Sequence, residues 1–177
     1  RSARSRTYAN SSALAVAQRM HLVPRRAGLT TLAVRRPQPL RATGTDVWLF
    51  TGCVMDAWMR DTHRSTAKVL DHLGVTFALP GKGGGGCGAL HTHAGLTDAA
   101  RRLAANVMSS MPGDAPIVVN SAGCGAALKE YGHLLGTPAA AVFGARVLDV
   151  HEFVAQHIDR LRPTRRVGPV IVQDPCH

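Results

Sequence analysis

From Asp46 onward the chain alternates short apolar runs with stretches whose apolar residues recur every three or four positions, the pattern of strands and helices in turn. Asp46–Gly52 (DVWLFTG) is an apolar run ending in glycine and predicts a buried strand. Thr62–Leu73 places Ala67, Leu70 and Leu73 at helical spacing, with Gly74 as its stop, and Val75–Leu79 reads as the next strand, closed by Pro80. Beyond a glycine-rich turn, Gly95–Met111 predicts a helix with Thr97 as cap and Arg101 and Arg102 on its solvent side. Pro116–Asn120 predicts a strand, Ala122–Leu135 a helix, Ala139–Phe143 a short strand, Val147–Leu161 a helix and Pro169–Gln173 a last strand. Repeated strand–helix units predict an α/β fold, a parallel sheet with helices on its faces.

The first 45 residues break this pattern. They contain nine arginines and no acidic residue, and Pro24, Pro37 and Pro39 interrupt them, with one short helical stretch from Ser11 to Met20. Residues 1–45 are therefore read as a basic, mostly irregular linker, and residues 46–177 as the domain. The formal charge of +10 belongs to that linker rather than to the domain. An Arg-rich, acid-free segment also fits a transit peptide, but the chain opens at Arg1 rather than Met, so a fragment lacking its upstream part is the more economical reading. The 45% hydrophobic content suffices for a core, and no apolar run reaches the 18 or more residues of a membrane span. No aromatic residues interleave the arginines, which argues against a nucleic-acid surface.

Four cysteines carry the candidate chemistry. Cys53, Cys87 and Cys124 each stand beside glycine and follow a predicted strand, and Cys176 follows the last one. In an open parallel sheet the carboxyl ends of the strands share one edge, so thiols far apart in sequence can converge there. Thiolates on glycine loops suit soft metals and iron–sulfur clusters; a single cysteine would more simply be a small buried hydrophobe. His91 and His93 leave a Cys/His zinc site open, although no C-x-x-C pair anchors it. A nucleophilic cysteine paired with His91 or His133 is also open, without a recognisable motif. Gly83–Gly88 fits G-x-G-x-x-G, but the run is almost all glycine and no acidic residue lies about 20 positions on. A Walker A loop is excluded, since Lys82 precedes the glycines.

Leu49–Val54 (LFTGCV), Gly86–His91 (GCGALH) with His93–Gly95 (HAG), Asn120–Gly125 (NSAGCG), Leu128–Leu135 (LKEYGHLL) and Asp174–His177 (DPCH) together resemble the glycolate oxidase iron–sulfur subunit. That family belongs to the cysteine-rich CCG proteins, with heterodisulfide reductase and lactate-utilisation subunits. The resemblance covers residues 46–177, read as the first cysteine-rich domain plus the start of the second. It implies an electron-transfer subunit: an FAD-containing partner oxidises a 2-hydroxy acid such as glycolate or lactate, and 4Fe-4S clusters pass electrons toward a quinone pool. The hydroxy-acid chemistry would lie on that partner, and the compartment would be the cytoplasm, at the inner face of the membrane through partners. Family members carry a ferredoxin-like region before this stretch and a complete second half after it, so the chain resembles the middle of a longer subunit. By this resemblance Cys53, Cys87 and Cys124 are cluster ligands, and Cys176 is a metal ligand that serves the second half. The family's paired cysteines become Gly86–Cys87, leaving a three-thiolate set whose cluster would be incomplete or lost. His91 and His93 then read as supporting residues, and Lys129 and Tyr131 as helix residues near the cluster edge. The competing class is a non-redox docking fragment of such a complex.

Overall fold

A computed structural model describes residues 39–162 and 168–171. Four short strands, β1 (Val47–Phe50), β2 (Phe77–Ala78), β3 (Ile117–Val119) and β4 (Val147–Asp149), form one parallel sheet in the order β2-β1-β3-β4. Trp48 lies opposite Ala78 on one side and Ile117 on the other, which makes β1 and β3 the inner strands.

Eight helices surround the sheet among the described residues: α1 (Val54–Trp58), α2 (Arg60–His72), α3 (Ala89–His93), α4 (Thr97–Ser110), α5 (Ala122–Lys129), α6 (Tyr131–Leu135), α7 (Pro138–Ala145) and α8 (Val150–Ala155). Alternation along the strands sorts the core into two layers. Phe50, Ile117, Val119 and Val147 pack with Ala104 and Val107 of α4, Leu128, Tyr131, Ala140 and Phe143. Val47, Leu49, Phe77 and Val118 face the other way, onto Leu70 of α2 and Phe153 of α8. The chain therefore winds from β1 to β2 over one face and returns to β3 over the other. The winding reverses between β1 and β3, and a crevice opens there at the strand carboxyl ends.

The α/β class and the parallel sheet match the sequence reading, while several elements differ from it. Residues 139–143, expected to be a strand, lie inside helix α7. Thr137 accepts a hydrogen bond from the Ala140 amide (3.2 Å) and Pro138 occupies the first turn, so a strong helix start overrides the apolar run. Residues 147–161 are not one helix. Val147–Asp149 pairs with β3, and Asp149 and Glu152 then form a capping box that starts α8; the helix ends at Ala155 and a 3₁₀ turn, Ile158–Arg160, follows. The expected helix Ala122–Leu135 breaks at Glu130 into α5 and α6. Thr97 is the first residue of α4 rather than its cap, a place held by Leu96. Of the strand expected at 169–173, residues 169–171 are irregular, and the rest, with Cys176 and the linker up to residue 38, lies outside the described residues.

Candidate metal and redox site

Cys53 ends the turn after β1, where Gly52 takes a φ of 63°, and stands at the start of α1. Cys124 lies in the first turn of α5, just after β3. The two loops flank the crevice, close enough that a Cβ placed on Gly52 would sit 3.4 Å from the Cys124 sulfur. Cys87 arrives from the long connection between β2 and α4. Gly88, with a φ of 86°, turns the chain there so tightly that a Cβ on it would lie 3.2 Å from the Ala100 carbonyl oxygen.

The structure brings Cys87 and Cys124 together, their Sγ atoms 3.4 Å apart, and all three described cysteines are thiols rather than disulfides. Cys87 is buried, and Cys124 and Cys53 are half-buried. The two sulfurs in contact cannot both ionise readily. The hydrogen bond from Cys87, helped by the Ser121 side chain and opposed by burial, draws Cys124 down to about 7. That same hydrogen bond, then burial, then the charge on Cys124 push Cys87 far above the normal thiol range, and the charge on Cys53 adds to this. The position of Cys124 in the first turn of α5 favours its thiolate further. Cys124 is thus the more readily ionised of the two thiols.

Tyr131 supports the site from below. Its side chain is fully buried, its ring stacks on Phe143 with centroids 5.7 Å apart, and its hydroxyl donates to the Cys87 carbonyl oxygen at 2.8 Å. Burial, followed by the charges of Cys87 and Cys124, keeps the phenol protonated and therefore a donor. A cleft of about 290 Å³ opens beside Cys87, lined among others by Thr92, His93, Ala126, Glu130 and Leu134. Val54, Trp58 and Met59, which follow Cys53 in sequence, and Leu90, which follows Cys87, are exposed apolar side chains.

Other expected residues take different roles. His91 and His93 occupy the last turn of α3, and His93 lines the cleft. His133 is exposed and sits 3.8 Å from Glu130. Lys129 is at the far end of α5 from Cys124 and pairs with Glu152 at 2.8 Å. Among the described residues, no three Cys, His, Asp or Glu side chains gather closely enough to hold a single metal ion.

Sequence reasoning missed a polar cluster on the opposite face of the sheet, at the same edge. His63 of α2 is 1% exposed, and the side-chain amide of Asn120, at the end of β3, spans to its Nδ1 (3.0 Å) and to Thr66 Oγ1 (2.9 Å). With Nδ1 accepting, the ring proton belongs on Nε2; Asn120 Oδ1 has no hydrogen-bond partner in the structure. Burial first lowers the His63 pKa, against the pull of Asp56. Asn120 thus joins this cluster to the start of α5, which carries Cys124. His63, within the mostly polar stretch Arg60–His72, gives no sequence signal of its own.

Residues 47–129 match the cysteine-rich domain family CCG. The chain is similar to the probable glycolate oxidase iron–sulfur subunit of Bacillus subtilis, 32% identical over 74% of this chain and 31% of the relative. It is similar to the glycolate oxidase iron–sulfur subunit of Escherichia coli, at 30% identity over 72% of this chain and 32% of the relative. A third relative is a fumarate reductase (CoM/CoB) subunit of Methanothermobacter marburgensis, at 31% identity over 76% and 26%. The chain thus spans about a third or less of the length of these relatives. No solved structure matches it. With its thiols on strand-end loops, the stretch from Val47 to Lys129 belongs to the cysteine-rich CCG domain family, in a chain related to the glycolate oxidase iron–sulfur subunits.

Proposed function

We propose that this chain is part of an iron–sulfur electron-transfer subunit of a flavin-linked 2-hydroxy-acid dehydrogenase of the glycolate or lactate type. The observation that carries the reading is the meeting of Cys87 and Cys124 at the crevice edge, beside the loop that bears Cys53. Thiolate is the donor that iron–sulfur clusters take, and the donor chemistry here fits one. Cys53, Cys87 and Cys124 would hold the cluster, of the 4Fe-4S type, with Cys176 as a further thiolate. When bound, the group would supply one-electron transfer.

The residues around the site have definable parts in this reading. Tyr131 fixes the backbone of Cys87 through its hydroxyl. Gly86 leaves room where the family has a second cysteine, so one ligand must come from elsewhere. The Cys87–Cys124 contact is a hydrogen-bonding distance, so the two sulfurs would have to part to ligate different irons of a cluster. The exposed Val54, Trp58, Met59 and Leu90 would dock the FAD-containing partner, since exposed large apolar side chains close in sequence to the thiols favour burial by another protein. Among the described residues no helix is long and apolar enough to cross a membrane. In the proposed reading the route to a quinone pool would run through partners, at the cytoplasmic face.

Anaerobic reconstitution of the chain with ferrous iron and sulfide tests the proposal, read by iron content, visible absorption and electron paramagnetic resonance. Iron with sulfide should be retained, and Ser in place of Cys53, Cys87 or Cys124 should abolish it. A folded chain that takes up no iron would leave the docking-fragment reading. Retention of zinc alone would favour a Cys/His zinc domain.

A further inference from the structure

Two thiols in van der Waals contact have chemistry of their own, with or without a metal. Cys87 and Cys124 lie 37 residues apart in sequence, yet their sulfurs are 3.4 Å apart, and a disulfide bond of about 2.05 Å is reached by closing only about 1.4 Å. The two residues are unequal. Cys124 is half-buried, in the first turn of a helix; Cys87 is buried, between Gly86 and Gly88, with its carbonyl held by Tyr131. This is the arrangement of an accessible attacking thiol backed by a shielded resolving thiol.

We propose that, in the metal-free protein, Cys87 and Cys124 form a reversible dithiol–disulfide couple that exchanges with low-molecular-weight disulfides. In the first step the Cys124 sulfur attacks one sulfur of the small disulfide; that S–S bond breaks, a mixed disulfide forms on Cys124, and one small thiol leaves with a proton. In the second step Cys87 gives up its proton and attacks the Cys124 sulfur, expelling the second small thiol. Two protein thiols are oxidised and one small disulfide is reduced to two thiols, so no other oxidant is needed. The reverse reaction with excess small thiol restores the dithiol. The couple goes beyond the electron-transfer reading, because it involves no metal and stands or falls without one.

The experiment equilibrates the metal-free chain anaerobically in glutathione buffers of graded redox ratio, then quenches, digests and maps the cysteines by mass spectrometry. The expected result is the joint loss of two thiols per chain, a Cys87–Cys124 cross-link, and full reversal by reduced glutathione. Cys87→Ser should trap glutathione on Cys124, whereas Cys53→Ser and Cys176→Ser should leave the cross-link unchanged; circular dichroism verifies that each variant is folded. Since Cys53→Ser is also expected to abolish iron uptake, a variant that loses iron but keeps the cross-link separates the two proposals. A cross-link that uses Cys53 or Cys176 instead, or glutathione added independently to each cysteine without a Cys87–Cys124 bond, would overturn the inference.

Discussion

Tyr131→Phe removes one oxygen from the interior and nothing else. The ring keeps its stack on Phe143, so the loss is confined to the 2.8 Å hydrogen bond to the Cys87 carbonyl. Tyr131 is 0% exposed and Cys87 5% exposed, so water has little access to replace the donor. A buried acceptor left unsatisfied costs about 1–3 kcal/mol, and for a domain of this size each kcal/mol lowers Tm by roughly 4 °C. The variant should therefore melt about 4–12 °C lower, with a matching loss in urea unfolding at unchanged slope. The more specific consequence concerns the thiols. Because the lost bond anchors the backbone of Cys87, Tyr131→Phe should also slow formation of the Cys87–Cys124 cross-link, whereas Phe143→Leu, which perturbs the same core without touching that bond, should destabilise the fold and leave cross-linking nearly intact. A Tyr131→Phe protein within about 0.5 kcal/mol of the parent would refute the reasoning, since it would mean that the carbonyl finds another donor at no cost.

Gly86 has no positive φ, and the nearest atom to a Cβ built there is Leu103 Cδ2 at 3.8 Å, so Gly86→Cys should fold normally; if position 86 supplies the missing thiolate, iron retained per chain should rise, as measured after anaerobic desalting. Alkylation of Cys124 by iodoacetamide should follow a pH profile with its midpoint at about 7, well below that of an ordinary thiol, and Cys87→Ala should move the midpoint upward by removing the hydrogen bond that lowers it. The His63 pKa is lower folded than unfolded, so the unfolded chain binds the extra proton; stability is fully present above the unfolded value of about 6.5 and is lost as pH falls below it. Urea unfolding between pH 7 and 5 should show that loss, and His63→Gln should flatten it. Gly144→Ala would place a Cβ 2.6 Å from the Lys129 carbonyl oxygen, a backbone atom that cannot swing aside, and should cost about 1–3 kcal/mol by thermal melting.

The inner strands were legible because burial on both faces writes itself into sequence: VWLF and PIVV are continuous apolar runs of strand length. The edge was not. Residues 139–143 are as apolar as a strand, and only Thr137 and Pro138 upstream mark them as a helix, while Val147–Asp149 is too short to interrupt the helical pattern that follows it. The cysteines could be placed at one sheet edge from the order of elements alone, but which two would touch could not. That depends on the strand order, on a positive φ at Gly88 and on a tyrosine hydroxyl 44 residues from its acceptor. The His63–Asn120–Thr66 cluster joins residues more than 50 positions apart and left no trace in local spacing.

The sheet order also dictates a sequence of events. Cys87 and Cys124 come from different connections, and they meet only once β3 lies beside β1, a pairing between segments separated by the whole of β2 and α4. Zinc fingers, whose ligands lie close along the chain, can gather them by binding metal as they fold. Here an unfolded chain presents isolated thiols with nothing to hold them together. On the proposed reading, a metal would be held by thiols that only the folded domain brings together, and its removal should leave the sheet standing.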